Sequence, residues 1–199
     1  IDAETIRRMP ALTINDVLEW AFGVEMMPRS PALSDVGIRG SSFEQVLVLV
    51  DGVRMGDAQT GHFNLNLAVP LDQVERIEVL RGPAASLYGS DAMAGVINVV
   101  TRQSGRASSA AISRGSFETT AASFSHRQRI ASVEADFGGS YQQSDGHRSG
   151  TDYDMGTARL GLTTQLAGGP LHAEAAYSNR EFGADQFYGA FPSYETTET

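Results

Sequence analysis

The segment from Gly56 to Asn64 gathers groups that can hold a small molecule. Asp57, Gln59, Thr60, His62 and Asn64 offer hydrogen bonds, Phe63 offers an aromatic face, and the stretch has no strand periodicity. His62 has the chemistry to bind iron or cobalt, but no second ligand stands at metal spacing, so a hydrogen-bonding role is expected of it. Arg39 and Arg81 each precede a glycine and can project a cation from a turn, while Glu75 and Glu78 supply carboxylates on one short segment. Asp145, Asp152 and Asp154 are expected within one long loop and could hold calcium, yet they lack glycine-punctuated ligand spacing, so solvated charge is the expectation. No nucleophile elbow, phosphate-binding glycine loop or paired metal motif occurs, so neither an enzyme nor a cofactor is expected.

Composition narrows the partners. All 15 basic residues are arginine against 24 acidic residues, and the formal charge of -9 disfavours nucleic acid. Cysteine is absent, which excludes disulfides and thiolate metal sites. The longest apolar run, Val46 to Val50, is far too short for a membrane-spanning helix, and no signal peptide opens the sequence. Any membrane contact is therefore expected through β-strands or through a segment before Ile1.

The elements that must position these residues follow two grammars. Up to about residue 105, short helical and strand signals mix. Ile14, Val17, Leu18 and Ala21 share a helical face within Thr13 to Gly23, with Thr13 placed to cap and Asp16 three residues on. Strands are expected at Val36 to Arg39, Val46 to Val50, Val53 to Met55, Arg76 to Leu80 and Val96 to Thr101, with Asp51-Gly52 as a tight hairpin turn. From Ala107 onward strict alternation takes over, in Ser132 to Gln142, Thr157 to Leu166 and Leu171 to Ser178.

Alternation alone suits a soluble sandwich. Three features favour lipid instead. The segments are about ten residues long, as tilted membrane strands require. The polar face carries Glu134, Asp136, Arg159 and Glu174, suited to a wet lumen. The tight turn Ala167 to Pro170 contrasts with the long stretches Ser144 to Asp152 and Arg180 to Thr199. The residues after 105 suffice for about five such strands, too few to close a barrel, so further strands are expected beyond Thr199.

Four strings carry a family resemblance: Gly37-Ile38-Arg39-Gly40; Val46 to Val50 running through Asp51-Gly52 to Arg54; Val74 to Leu80 with Arg81-Gly82-Pro83; and Leu87-Tyr88-Gly89-Ser90 leading to Gly95 to Thr101. In this order and spacing they resemble the plug of TonB-dependent outer-membrane receptors. More weakly, Arg114-Gly115-Ser116-Phe117 resembles a first surface turn, and Asp185-Gln186-Phe187-Tyr188 a loop of the vitamin B12 and siderophore receptor branch. The resemblance implies an α+β plug domain over residues 1–105, followed over 106–199 by the first strands of an antiparallel transmembrane β-barrel in the bacterial outer membrane. It implies uptake of a ferric siderophore or cobalamin-like nutrient, with a surface-binding receptor that takes ligand, phage or bacteriocin without energised import as the alternative. Implied partners are outer-membrane lipid, a metal chelate or corrinoid, and the inner-membrane TonB complex, reached through a box expected before Ile1. Implied substrate contacts lie in three loops, at Arg29 and Ser30, at Ser41, Ser42 and Phe43, and at Asp57, Gln59, Thr60, His62, Phe63 and Asn64. Arg39, Gly40, Asp51, Gly52, Glu75, Glu78, Arg81, Gly82, Tyr88 and Gly89 are implied as plug-motif or plug-barrel positions, Tyr88 and Gly89 serving packing and turn formation.

Overall fold

The computed structural model describes residues 1–57, 60–102, 107–186 and 190–199. The chain divides into two compact units, one of Ile1–Leu67 with Val74–Thr101, the other of Ala68–Gln73 with Arg102–Thr199. The expected domain boundary at residue 105 falls outside the described residues.

The first unit is built around a strand that shows water neither face. Its elements in chain order are α1 (Ala3–Arg8), α2 (Ile14–Leu18), β1 (Val24–Ser30), β2 (Leu33–Ile38), β3 (Val46–Val50), β4 (Val53–Met55), β5 (Val74–Arg81), α3 (Ala85–Tyr88) and β6 (Gly95–Thr101). All five residues of β3 are buried, because β3 is an inner strand of a four-stranded sheet in the order β4-β3-β6-β5, parallel to β6 and antiparallel to β4. Val17, Leu18, Val36, Ile38, Ile77, Ile97 and Val99 supply much of the remaining core. The turn between β3 and β4 has φ of 50° at Asp51 and 80° at Gly52, the positive pair that the Asp-Gly sequence favours. Asp51 then accepts hydrogen bonds from the Thr101 amide at 2.8 Å and the Thr101 hydroxyl at 2.5 Å, which fixes the turn against the end of β6.

Local signals fared unevenly. Thr13 and Asp16 form the reciprocal cap expected of a helix start, but α2 ends at Leu18, since Trp20 and Ala21 bond back three residues instead of four. The strand expected at Val36 to Arg39 is Leu33–Ile38, and Arg39 has turned into the left-handed region at φ 55°. Its partner β1 was not anticipated, because it contains Pro28 and lacks alternation; it survives in a two-stranded ribbon where one edge needs no donors.

Among the described residues the second unit is an antiparallel meander of six strands, one more than the five or so expected: β7 (Ala107–Arg114), β8 (Thr120–Ile130), β9 (Val133–Ser144), β10 (Tyr153–Leu166), β11 (Gly169–Gly183) and β12 (Tyr194–Glu198). The sheet is open, with β7 and β12 at its edges. From β8 to β11 the strands run 11, 12, 14 and 15 residues, longer than the usual five or so and long enough to cross hydrocarbon at a tilt. Residues 131–132 and 167–168 make tight turns at one rim, while residues 115–119 and 145–152 connect strands at the other, where the described residues 184–186 and 190–193 also lie between β11 and β12. The long stretch expected from Arg180 is thus shorter: β11 continues to Gly183, paired to β10 as far as Phe182 opposite Tyr153. The charges at Arg180 and Glu181 had obscured a strand that backbone pairing sustains.

The polarity of this sheet is inverted relative to a globular protein. Phe137 is 43% exposed, Leu160 44% and Leu162 40%, whereas Arg127 is 3% exposed, Asp136 8% and Arg159 4%. Phe137 sits opposite Leu160 in the ladder, and one residue away Asp136 sits opposite Arg127, so each face is assembled from cross-strand partners. On the enclosed face Asp136 binds Arg127 Nη2 at 2.9 Å and Arg159 Nη1 at 3.3 Å, and Arg159 Nη2 reaches Glu174 at 2.6 Å. Gln73, in the short turn Leu71–Gln73, donates to Asp136 at 2.5 Å. It lies against Gly138, where an added Cβ would come within 3.0 Å of the Gln73 amide carbon.

An arginine placed at Leu160, near the middle of β10, must enter hydrocarbon if the exposed apolar face meets lipid. Leu160→Arg in the full-length protein is expected to cost about 2–4 kcal/mol in unfolding from lipid vesicles. A cost near zero would mean that water bathes this face.

Candidate functional site

The loop cluster of the first unit is organised by a residue that motif reading passed over. Asp35 lies in β2 with its side chain fully enclosed, in a strand where every residue but Ser34 is buried. A carboxylate taken from water requires strong partners. Asp35 has one on each oxygen: Arg29 Nε donates to Oδ2 at 2.8 Å, and His62 Nδ1 lies 2.8 Å from Oδ1. Since an ionised carboxylate only accepts, His62 carries a proton on Nδ1 in this pairing. The Phe43 ring lies 4.3 Å from the His62 ring at 33°, fixing its plane. Gly61 allows that approach, because a Cβ there would stand 3.0 Å from a Phe43 ring carbon. The available sequence signal is an acid set in a strand whose other residues, Ser34 apart, are apolar.

The surrounding residues shape the loops. Thr60 caps the short turn Gly61–Phe63 by accepting from the His62 amide at 3.3 Å, and Asp57 accepts from the Thr60 amide at 3.1 Å. Asn64 Oδ1 receives the Asp57 amide at 3.4 Å. Ser41 accepts from Ile38 N at 3.0 Å, Ser42 leads into the turn Phe43–Gln45, and Ser30 accepts from Ala32 N at 3.3 Å in the β1-β2 hairpin. The structure therefore joins Arg29 and His62 through Asp35, sets Phe43 against His62, and ties Asp57, Thr60 and Asn64 to the same loop. Ser30, Ser41 and Ser42 serve local turns, Phe63 belongs to the capped turn, and Gln59 lies outside the described residues. A cavity of about 450 Å³ opens beside this loop, lined by Glu44, Arg54, Met55, Asp57, Asn64 and Asp91 among others. Arg54 and Asp91 pair across it at 2.7 Å.

The motif residues are mostly bound within the first unit. Arg81 does not project freely from its turn: Nη1 donates to the Phe22 carbonyl at 2.8 Å, and the guanidinium lies 5.1 Å from the Phe22 ring centre. Arg76 holds Glu75 at 3.2 Å and Glu78 at 2.7 Å. Asn98 donates to Glu78 at 2.9 Å and accepts from Gly52 N at 3.1 Å, so one amide links β5, β6 and the Asp51-Gly52 turn. Gly40, Gly82 and Gly89 all have positive φ, and the Tyr88 carbonyl accepts from Arg54. In the second unit, Asp154 belongs to β10 and receives the Tyr141 hydroxyl, while Asp145 and Asp152 sit in the loop before it. Among the described residues these three carboxylates do not gather into one set. Phe187 and Tyr188, which carried part of the weaker resemblance, lie outside the described residues.

Residues 1–96 match the family model described as the TonB-dependent receptor plug domain. A vitamin B12 transporter, BtuB, of Vibrio vulnificus is 32% identical over 205 residues, covering 98% of this chain and 32% of that protein. BtuB of Vibrio cholerae is 38% identical over 117 residues, covering 58% of this chain and 19% of that protein. The chain thus spans between a fifth and a third of these two relatives. Among solved structures, the siderophore receptor PirA of Pseudomonas aeruginosa superposes with a TM-score of 0.68 at 27% identity, over 92% of this chain and 33% of that one.

Two carboxylates of the first unit make its stability depend on pH. Hydrogen bonds from Asn98 and then Arg76 hold Glu78 below its ordinary value of 4.5, and hydrogen bonds from Arg54 and then Ser90 hold Asp91 below 3.8. Depressed values mean that their contribution is complete above the ordinary range and lost as pH falls through the folded values. Amide exchange of β5 and β6 in the full-length protein, corrected for intrinsic rates, is expected to stay level from about pH 7 to about pH 5 and to rise below that. Glu78→Gln should flatten the acid limb, and an unchanged limb would show that Glu78 does not contribute.

Proposed function

Because this chain belongs to the TonB-dependent receptors, with a plug domain in residues 1–96, we propose that it takes part in energised import of a metal chelate or corrinoid across the bacterial outer membrane. The observation that carries this reading is the inverted sheet that follows a plug: apolar side chains outward, an arginine and carboxylate network inward. A sheet of that kind suits a lipid-embedded wall around a wet interior. The longer connections 115–119 and 145–152 then form the rim that meets incoming nutrient.

The substrate-facing part of the plug, in this reading, is the loop cluster around Asp35. Its groups offer hydrogen bonds, a guanidinium and an aromatic face held by structural bonds, so little ordering remains to be done on binding. The vitamin B12 transporters among its relatives and the siderophore receptor among its structural neighbours support a bulky metal-bearing cargo. Energy would come from the inner-membrane TonB complex, engaging a box upstream of Ile1.

The test uses the full-length gene in a strain lacking its own receptors. Uptake of labelled cyanocobalamin or of a ferric siderophore is expected, with import lost when TonB is removed or the proton gradient collapses. Replacing residues 59–64 by glycine and serine should weaken binding of the imported compound. Capture without TonB-dependent import would favour the surface-binding alternative, and unchanged binding after the replacement would remove this loop from the site.

A further inference from the structure

Resting on the uptake reading, we infer that Arg29 is an anion receptor aimed by Asp35, and that the nutrient presents an anionic oxygen group to it. Three independent features converge on Arg29. The β1-β2 ladder pairs Pro28 with Ser34 and then Ser30 with Leu33, so the register slips at Arg29 and leaves it as the extra residue of a bulge. Bulges re-aim a side chain without unfolding the strand. Asp35, wholly enclosed, takes the Arg29 guanidinium by Nε alone at 2.8 Å. Among the described residues the two terminal nitrogens of Arg29 make no hydrogen bond, and the side chain is 43% exposed.

This division of the guanidinium matters chemically. A guanidinium can offer a carboxylate or phosphate a parallel pair of N–H bonds, and fixing it beforehand reduces what binding must order. Asp35 also holds His62 on its other oxygen, so one buried carboxylate sets two donor side chains next to each other. Asp35 itself, enclosed and committed on both oxygens, touches no ligand. It is a positioning residue. The same ligand chemistry can come from a carboxylate, a catecholate or a phosphodiester on the nutrient, and the experiment separates these sources.

The full-length receptor in detergent is titrated with ferric citrate, ferric enterobactin and cyanocobalamin, representing the carboxylate, catecholate and phosphodiester cases. Dicyanocobinamide, which lacks the phosphodiester, is the control for the last, and ferrichrome is the neutral chelate. At least one anionic-group probe should bind, with Arg29→Gln weakening it about tenfold to a hundredfold and removing most of its salt dependence. Arg29→Lys should restore the salt dependence but only part of the affinity. Asp35→Asn should weaken the same probe while keeping the salt dependence, since the cation remains but is no longer held. The double variant should be no weaker than Arg29→Gln alone, an outcome that general damage to the fold would not give. Heat-modifiable migration verifies that each variant has folded. The inference is overturned if none of the three anionic-group probes binds, if dicyanocobinamide binds as well as the only bound probe, cyanocobalamin, or if Arg29→Gln leaves the bound probe within twofold. TonB-dependent import of ferrichrome with none of the three anionic-group probes bound would sink this inference and leave the uptake reading standing, whereas absence of TonB-dependent import of any chelate or corrinoid would sink that reading.

Discussion

Hydrocarbon cannot hydrogen-bond to a peptide group, and every main feature of the second unit follows from that. Each backbone donor and acceptor in lipid must find its partner in a neighbouring strand, or cost several kcal/mol. An antiparallel meander meets this demand strand by strand, as the unbroken register between β8, β9, β10 and β11 shows. Once the backbone is paired, the pleat sends alternate side chains to opposite faces, and the surrounding medium decides which face is apolar. Here Phe137, Leu160 and Leu162 face out, the reverse of a water-soluble sheet.

Turning a sheet inside out transfers the energetic difficulty to its polar face. Arg127 and Arg159 are enclosed almost completely, and such ions are tolerable only when paired with good geometry. Asp136 meets this requirement by bridging the two arginines and accepting from Gln73, while Glu174 takes the far side of Arg159. The first unit obeys the opposite solvent rule. Its core is ordinary aliphatic packing around β3, and Asp35, whose carboxylate is wholly enclosed in β2, is answered by Arg29 and His62. One chain therefore contains both a domain folded for water and a sheet folded for lipid.

What could be read in the sequence depended on whether one residue's signal was local. Asp51-Gly52 specifies its own turn, Thr13 and Asp16 their own cap, and the alternation in β9 and β10 its own two faces, so these were legible. Strand β1 was not, because its pairing with β2 is a property of two segments and Pro28 argues against it locally. The end of β11 was blurred by Arg180 and Glu181, whose charge looks like a loop when the lumen is forgotten. The binding loops were found as segments, but their centre was missed. Asp35 gains its meaning only from Arg29 and His62, and His62 lies 27 positions away, a separation over which composition carries no information.

Which medium touches the apolar face decides whether the second unit is a membrane wall, and spin labels can report that directly. Single nitroxides would be placed along β9 and β10 of the full-length protein in lipid bilayers, and their collisions with oxygen, which concentrates in hydrocarbon, compared with those of a water-soluble nickel complex. Labels at Phe137, Leu160 and Leu162 should collide with oxygen and escape nickel, alternating with neighbours at Ser140 and Gln142 that are shielded from oxygen. Nickel access at Leu160 and Leu162, or protection of both faces from both reagents, would contradict a lipid-facing wall.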